Sequence, residues 1–167
     1  MCNTAVFTAA LADGSSQPNT TLDAFFRLVD EHLGVRLLTL TVFDVEAGHA
    51  YRVYTNMPQA YPVLGTKPIK PTPWTDQVMG RHESFVANTI AELAEVFEDF
   101  ELIDSLECGS VINIPIVVGG RFLGTVNCLH KEHYFTQQKV ALSEALKLPA
   151  AACFMLLELN ENKGVGA

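Results

Sequence analysis

The sequence predicts an α+β domain, a central antiparallel β-sheet with helices at both ends of the chain. Three observations carry that prediction: helical periodicity near both termini, two β-branched hairpins, and a proline-rich crossing after the first hairpin. The 167 residues, 49% hydrophobic and 18% charged, supply apolar material for one core and make one domain of ordinary size.

Residues 1–18 read as an N-terminal arm or short helix closing in the turn-rich Asp13-Gly14-Ser15-Ser16-Gln17-Pro18. Thr20 or Thr21 caps a helix over Thr21 to Leu33, in which Leu22, Phe25, Phe26, Val29 and Leu33 recur at helical spacing, and Gly34 follows as its C-terminal glycine. Leu37 to Phe43, a turn at Asp44 to Gly48, and Ala50 to Thr55 form the first hairpin. Pro58, Pro62, Pro68, Pro71 and Pro73 then exclude a central strand and leave an irregular crossing. Long connections of this kind are often functional. Trp74 to Met79 reads as a short helix ended by Gly80, and Glu83 to Ala87 as the third strand. Thr89 caps a second amphipathic helix reaching Asp99 or Phe100, with a poorly patterned link around Ile103 to Glu107. Ser110 to Val118, Gly119-Gly120 and Arg121 to His130 make the clearest hairpin. Thr136 caps a last helix to about Leu159, kinked by Pro149, so the folded domain spans 19–159 and 160–167 should fray.

Net charge −8, from 11 Lys plus Arg against 19 Asp plus Glu, opposes a phosphate-backbone partner, so no nucleic acid is expected. No apolar run approaches bilayer length and Met1 to Leu11 lacks the features of a secretory signal, so the expected setting is cytoplasmic, with no membrane partner. Cys2, Cys108, Cys128 and Cys153 are irregularly spaced and expected as free thiols.

The stretch from Gly109 to Asn127 resembles the final hairpin of the GAF domain family: a small residue opens the strand, Pro115 follows, and Leu123-Gly124-Thr125 starts the return strand. The resemblance extends in order over Thr21 to Leu159 and includes Leu33-Gly34-Val35 entering the first strand. It implies that the terminal helices pack on one face of the sheet and a ligand cavity lies on the other, roofed by the crossing loops and second helix. It further implies a homodimer through the terminal helices and an unidentified small-molecule ligand.

By that resemblance Val111, Asn113 and Pro115, with Thr125, Asn127 and Leu129, face the cavity, while Ile112, Ile114, Val126 and Cys128 face the helices. If Gly119-Gly120-Arg121 is a three-residue loop, Asn113 and Asn127 stand directly opposite each other. Two amides in apolar strands either floor a ligand site or bond to each other and to backbone as a core network. Trp74, Phe85, Phe97 and Phe100 are candidates for the walls or for plain core. Cys108, Ser110, Asn88 and Thr75 are rim candidates, with Tyr54 and Tyr61 behind them.

Cys108 also raises cysteine chemistry, because the family's free methionine-(R)-sulfoxide reductases carry reactive cysteines in this region. Such a cycle needs a low-pKa thiolate and a resolving thiol, and Val111, Asn127 and Leu129 stand where that branch places carboxylates. The Cys128 to His133 run offers soft ligands without the partner set of a metal site, so no metal is expected. Neither the Asn-Lys-Phe-Asp-Glu motif of cyclic-nucleotide binders nor the Cys-His pair of a bilin attachment site is present, and no cofactor is expected. The expected function is a non-enzymatic sensory domain, with the reductase and a ligand-free interaction module as alternatives.

Overall fold

The computed structural model describes residues 4–63 and 65–164; Cys2 and the tail beyond 164 lie outside the described residues. The chain opens with α1 (Ala5–Ala12) and α2 (Asn19–Leu33), which starts two residues before Thr21. The first hairpin is β1 (Leu37–Asp44) and β2 (His49–Thr55). Within the proline-rich crossing a short β3 (Thr66–Pro68) pairs with β2 alone, at the sheet edge where proline's missing N–H is tolerated. Next come α3 (Pro73–Thr75), capped by Thr72 and running into a π-turn at Asp76–Gly80, and β4 (Phe85–Ala87), shorter than the expected strand.

The predicted second helix divides into α4 (Ile90–Ala94) and α5 (Phe100–Ser105). Thr89 caps α4 as expected, in a reciprocal box with Glu92. The chain then turns, with the Val96 and Phe97 amides both donating to the Leu93 carbonyl. Phe97 thereby meets the Phe85 ring edge-on and Asp99 reaches Tyr61, contacts that one straight helix would not make. The link read as poorly patterned is therefore mostly α5.

The second hairpin is β5 (Ser110–Val118) and β6 (Arg121–His130). All six strands pair antiparallel in the order β3-β2-β1-β6-β5-β4. The turn differs from the expected three-residue loop: Gly119 and Gly120, both at positive φ, make a two-residue turn, and Val118 pairs with Arg121. A bulge follows, because Ile116 pairs with Gly124 and Val117 with Phe122. The extra residue, Leu123, restores the predicted pairing of Asn113 with Asn127 by a different device.

The chain ends in α6 (Gln137–Ser143), a 3-10 turn at Glu144–Leu146, and α7 (Lys147–Gly164). The interruption follows from Pro149, whose ring crowds the carbonyl four residues earlier, at Ala145. The helix continues past the expected fraying point at Asn160, to Gly164. Residues Gln137–Glu161 contain an 18-residue window of mean hydropathy 1.6, which corrects the expectation that no segment approaches bilayer length. Leu146, Ala150, Cys153 and Phe154 of this segment pack into the core, while Leu148, Met155 and Leu159 are exposed.

That core joins α1, α2 and α7 to one sheet face. Phe25, Val29 and Phe154 meet Leu38, Leu40, Ile112, Ile114, Val126 and Cys128, as the alternation predicts. Gly124 lets this packing close, since a Cβ there would drive into the Thr41 carbonyl oxygen and the Phe154 ring. A second cluster on the opposite face, including Leu37, Leu93, Ile103, Val111 and Leu129, seals one end of a large cavity.

Candidate functional site

The cavity, about 830 Å³, lies between the second sheet face and a roof drawn from β3, α3 and the α4–α5 region. A volume of that size suits a small organic molecule. Strand register orders the sheet face beneath it into rows, of which Leu37, Ala87, Thr55 and Pro115 lie outside the cavity lining. Leu37, Leu129, Val111 and Ala87 form an apolar row. Thr55, Thr39, Asn127, Asn113 and Phe85 form the next, and Arg52, Thr41, Thr125 and Pro115 the one after.

The middle row holds a directional hydrogen-bond chain. The Trp74 indole N–H donates to Asn113 Oδ1 (2.9 Å), Asn113 Nδ2 donates to Asn127 Oδ1 (2.7 Å), and Asn127 Nδ2 donates to the Thr39 and Thr41 hydroxyl oxygens (3.1 Å each). An indole can only donate, so Trp74 fixes the orientation of both amides and hence the direction of the whole relay. The amides thus bond to each other, as the network reading expects, and also line the cavity. Asn113 is only 3% exposed, a burial tolerable because both ends of its amide are bonded.

Of the sequence-predicted site residues, Asn113, Asn127, Val111, Thr125, Trp74, Phe85 and Phe97 line the cavity, as do Thr75 and Tyr61. Phe100, Cys108 and Ser110 do not. Phe100 opens α5 and packs on the outer side of the second cluster. The Ser110 hydroxyl is spent on the His130 and Lys131 carbonyls (3.2 and 2.7 Å), tying β5 to the end of β6. Cys108 is buried beside Leu106, and burial pushes its thiol up to about 11, with Glu107 adding and Arg36 opposing. A thiol held protonated is a poor nucleophile. Asn88 instead exchanges hydrogen bonds with the Phe135 backbone (3.1 Å each), and Tyr54 reaches Asp23 on the helical side. Cys128 faces the helices, and among the described residues no three His, Cys, Asp or Glu side chains are placed to hold a metal ion.

Sequence reasoning missed Thr39, Thr41, Phe43, Arg52 and Lys67, all of which line the cavity. The threonines had a signal, since they alternate with Leu38, Leu40 and Val42 along β1. Arg52 had none. Leu40 pairs with Tyr54 but Thr41 pairs with Arg52, so Val53 is a bulge residue that turns Arg52 from the helical face to the cavity face. The guanidinium lies 3.9 Å over the Tyr61 ring, and its Nη1 donates to the Pro62 carbonyl. Tyr61 in turn donates to Asp99; burial first, then that carboxylate, raises its phenol pKa. At the other end of the cavity the Trp74 ring stacks on Phe43, centroids 6.0 Å apart.

The sequence profile of the GAF domain family matches residues 17–151. Among solved structures, the chain is similar to the GAF domain of a two-component sensor histidine kinase from Bacillus halodurans (TM-score 0.69, 12% identity, 87% of this chain and 98% of that one). It is also similar to the GAF domain of a phosphoenolpyruvate-protein phosphotransferase from Coxiella burnetii (TM-score 0.66, 16% identity, 95% and 92%). A third similar structure is free methionine-R-sulfoxide reductase from Neisseria meningitidis in complex with its substrate (TM-score 0.63, 13% identity, 92% and 87%). At these identities the likeness is one of fold. None of the curated proteins matches the sequence.

Proposed function

The chain belongs to the GAF domain family, and on that premise we propose that it is a non-enzymatic sensory domain that takes a small molecule into the cavity above Asn113 and Asn127. Domains of this family are commonly sensory or ligand-binding modules. The observation that carries the reading is the cavity itself: about 830 Å³, with apolar walls and a built polar floor, the usual composition of a small-molecule site. A packed interior would have favoured a pure interaction module. Cys108, buried and off the cavity, gives a reductase no nucleophile there.

Output passes through a second copy of the chain along α7. Leu148 (82% exposed), Met155 (48%) and Leu159 (59%) follow one another at seven- and four-residue spacing on that helix, an apolar seam suited to helix pairing. The ligand acts on this contact by binding one helical arrangement better than the other. The buried Cys108, Cys128 and Cys153 are free thiols, which fits a cytoplasmic setting.

Native mass spectrometry of the purified protein, followed by a thermal-shift screen against amino acids, purine metabolites and small carboxylates, tests the reading. A bound species, or a stabilisation lost in folded Asn127→Ala protein, supports it, because ligand binding raises native stability by mass action. A dimer with no bound species and no shift across the panel counts against the sensor.

A further inference from the structure

The polarity of the floor specifies the ligand's chemistry. Because Trp74 drives the relay in one direction, the acceptor oxygen of each asparagine is occupied, and the Thr39 and Thr41 hydroxyls have each accepted a hydrogen bond. What both threonines still offer is a proton, with no acceptor for it among the described residues. Thr125, 1% exposed and lining the cavity in the next row, has a hydroxyl with no hydrogen-bond partner among the described residues. Its hydroxyl borders the cavity, where a ligand atom can accept its proton.

Arg52 completes the pattern. It stands directly across from Thr41, and Thr41 across from Thr125, so the three residues share one row, with the Arg52 side chain reaching from it to the Tyr61 ring. No carboxylate lies within ion-pair distance of Arg52 among the described residues, and its Nε is buried without a partner. Asp99 stands one ring away, engaged by the Tyr61 hydroxyl, and Glu95 lines the cavity from an exposed position on the roof. The Tyr61 ring and the Pro62 carbonyl hold the guanidinium in place before any ligand arrives. The apolar row of Leu129 and Val111 also borders the cavity, in the same cluster as Ile103 and Tyr61 and with Phe97 packed against it.

Resting on the ligand-binding reading above, we infer that the ligand is an organic carboxylate with an apolar body, its carboxylate on Arg52, Thr41 and Thr125 and its body toward Val111 and Leu129. A planar two-oxygen anion matches the guanidinium fork and takes the protons that the hydroxyls have left to give. The single fork, with Asp99 and Glu95 on the same cavity, selects a monoanion; Lys67 and Lys70 add attraction where the cavity opens.

Two matched pairs test this: 3-phenylpropanoate against 3-phenylpropanamide, and cyclohexanecarboxylate against cyclohexanecarboxamide, titrated calorimetrically and by Trp74 fluorescence, with inorganic phosphate alongside. The acids should bind at least about tenfold tighter than their amides, as expected when a charge-assisted bidentate contact is lost. That preference should vanish in Arg52→Gln and shrink in Thr125→Val, which keeps the side-chain shape. If Arg52→Gln does not fold, Arg52→Lys keeps the charge without the fork and should lose most of the preference. Equal binding of acids and amides overturns the carboxylate while leaving a ligand-binding domain. Binding of phosphate in place of the acids overturns it too. No binding by any probe also overturns it, and native mass spectrometry for a co-purified neutral species then decides separately whether the sensor reading falls with it.

Discussion

Truncating the two asparagines singly and together measures whether the floor is one connected relay. Asn113→Ala breaks two hydrogen bonds, one from Trp74 and one to Asn127. At a net value of about 1 kcal/mol per neutral bond, it should destabilise by about 2 kcal/mol. Asn127→Ala breaks three, the bond from Asn113 and those to Thr39 and Thr41, for about 3 kcal/mol. The Asn113–Asn127 bond belongs to both variants, so the double variant loses four bonds. It should therefore cost about 4 kcal/mol where independent sites would give about 5, a coupling of about 1 kcal/mol. Urea unfolding of the four proteins, followed by circular dichroism and by the fluorescence of Trp74, the single tryptophan, supplies the cycle. The fluorescence also reports the indole directly, since only the two variants that carry Asn113→Ala free its N–H to water. Costs that add to within about 0.3 kcal/mol would refute a direct amide–amide bond and with it the directionality on which the donor-rich floor depends.

Three further outcomes follow from other parts of the fold. Gly124→Ala should destabilise by about 1–3 kcal/mol in thermal or urea unfolding, because its Cβ has nowhere to go between the Thr41 carbonyl and Phe154; a neutral substitution would show that β6 and α7 separate easily. Cys108, raised to about 11 mainly by burial, should react with a thiol reagent at pH 8 only as fast as the protein opens, and fast labelling without denaturant would contradict that placement. Burial, then the charges of Arg36, Lys131 and Lys139, hold the His130 imidazole below its ordinary 6.5. The unfolded chain therefore binds that proton at higher pH than the folded one, so stability falls as pH drops through this region; His130→Gln should flatten that decline, and an unchanged slope would exclude His130 as its source.

Much of the fold was legible because it rests on local periodicity. Leu22, Phe25 and Val29 at helical spacing, and the alternation of Val111, Asn113 and Pro115 with Ile112, Ile114 and Ile116, state which face of each element is buried. The interruption of the second predicted helix was not legible, because Leu93, Val96 and Phe97 fit one continuous helical pattern and only contacts with Phe85 and Tyr61 turn the chain there. The pairing of Asn113 with Asn127 came out as expected although the turn did not: a two-residue turn plus a bulge and a three-residue turn reach the same register, and sequence distance does not distinguish them.

By itself the sequence determined the order of elements, the antiparallel sheet flanked by terminal helices, and the presence of two amides in an apolar hairpin. All of these follow from hydrophobic period and turn chemistry, which neighbouring residues encode. Tertiary structure decided what the amides do and what accompanies them. Trp74, 39 positions from Asn113, sets the direction of the relay, and a single bulge residue, Val53, decides that Arg52 faces the cavity rather than the helices. A strand has a period of two, so one extra residue moves a side chain to the opposite face of the sheet, and only pairing with the neighbouring strand shows where that residue is inserted.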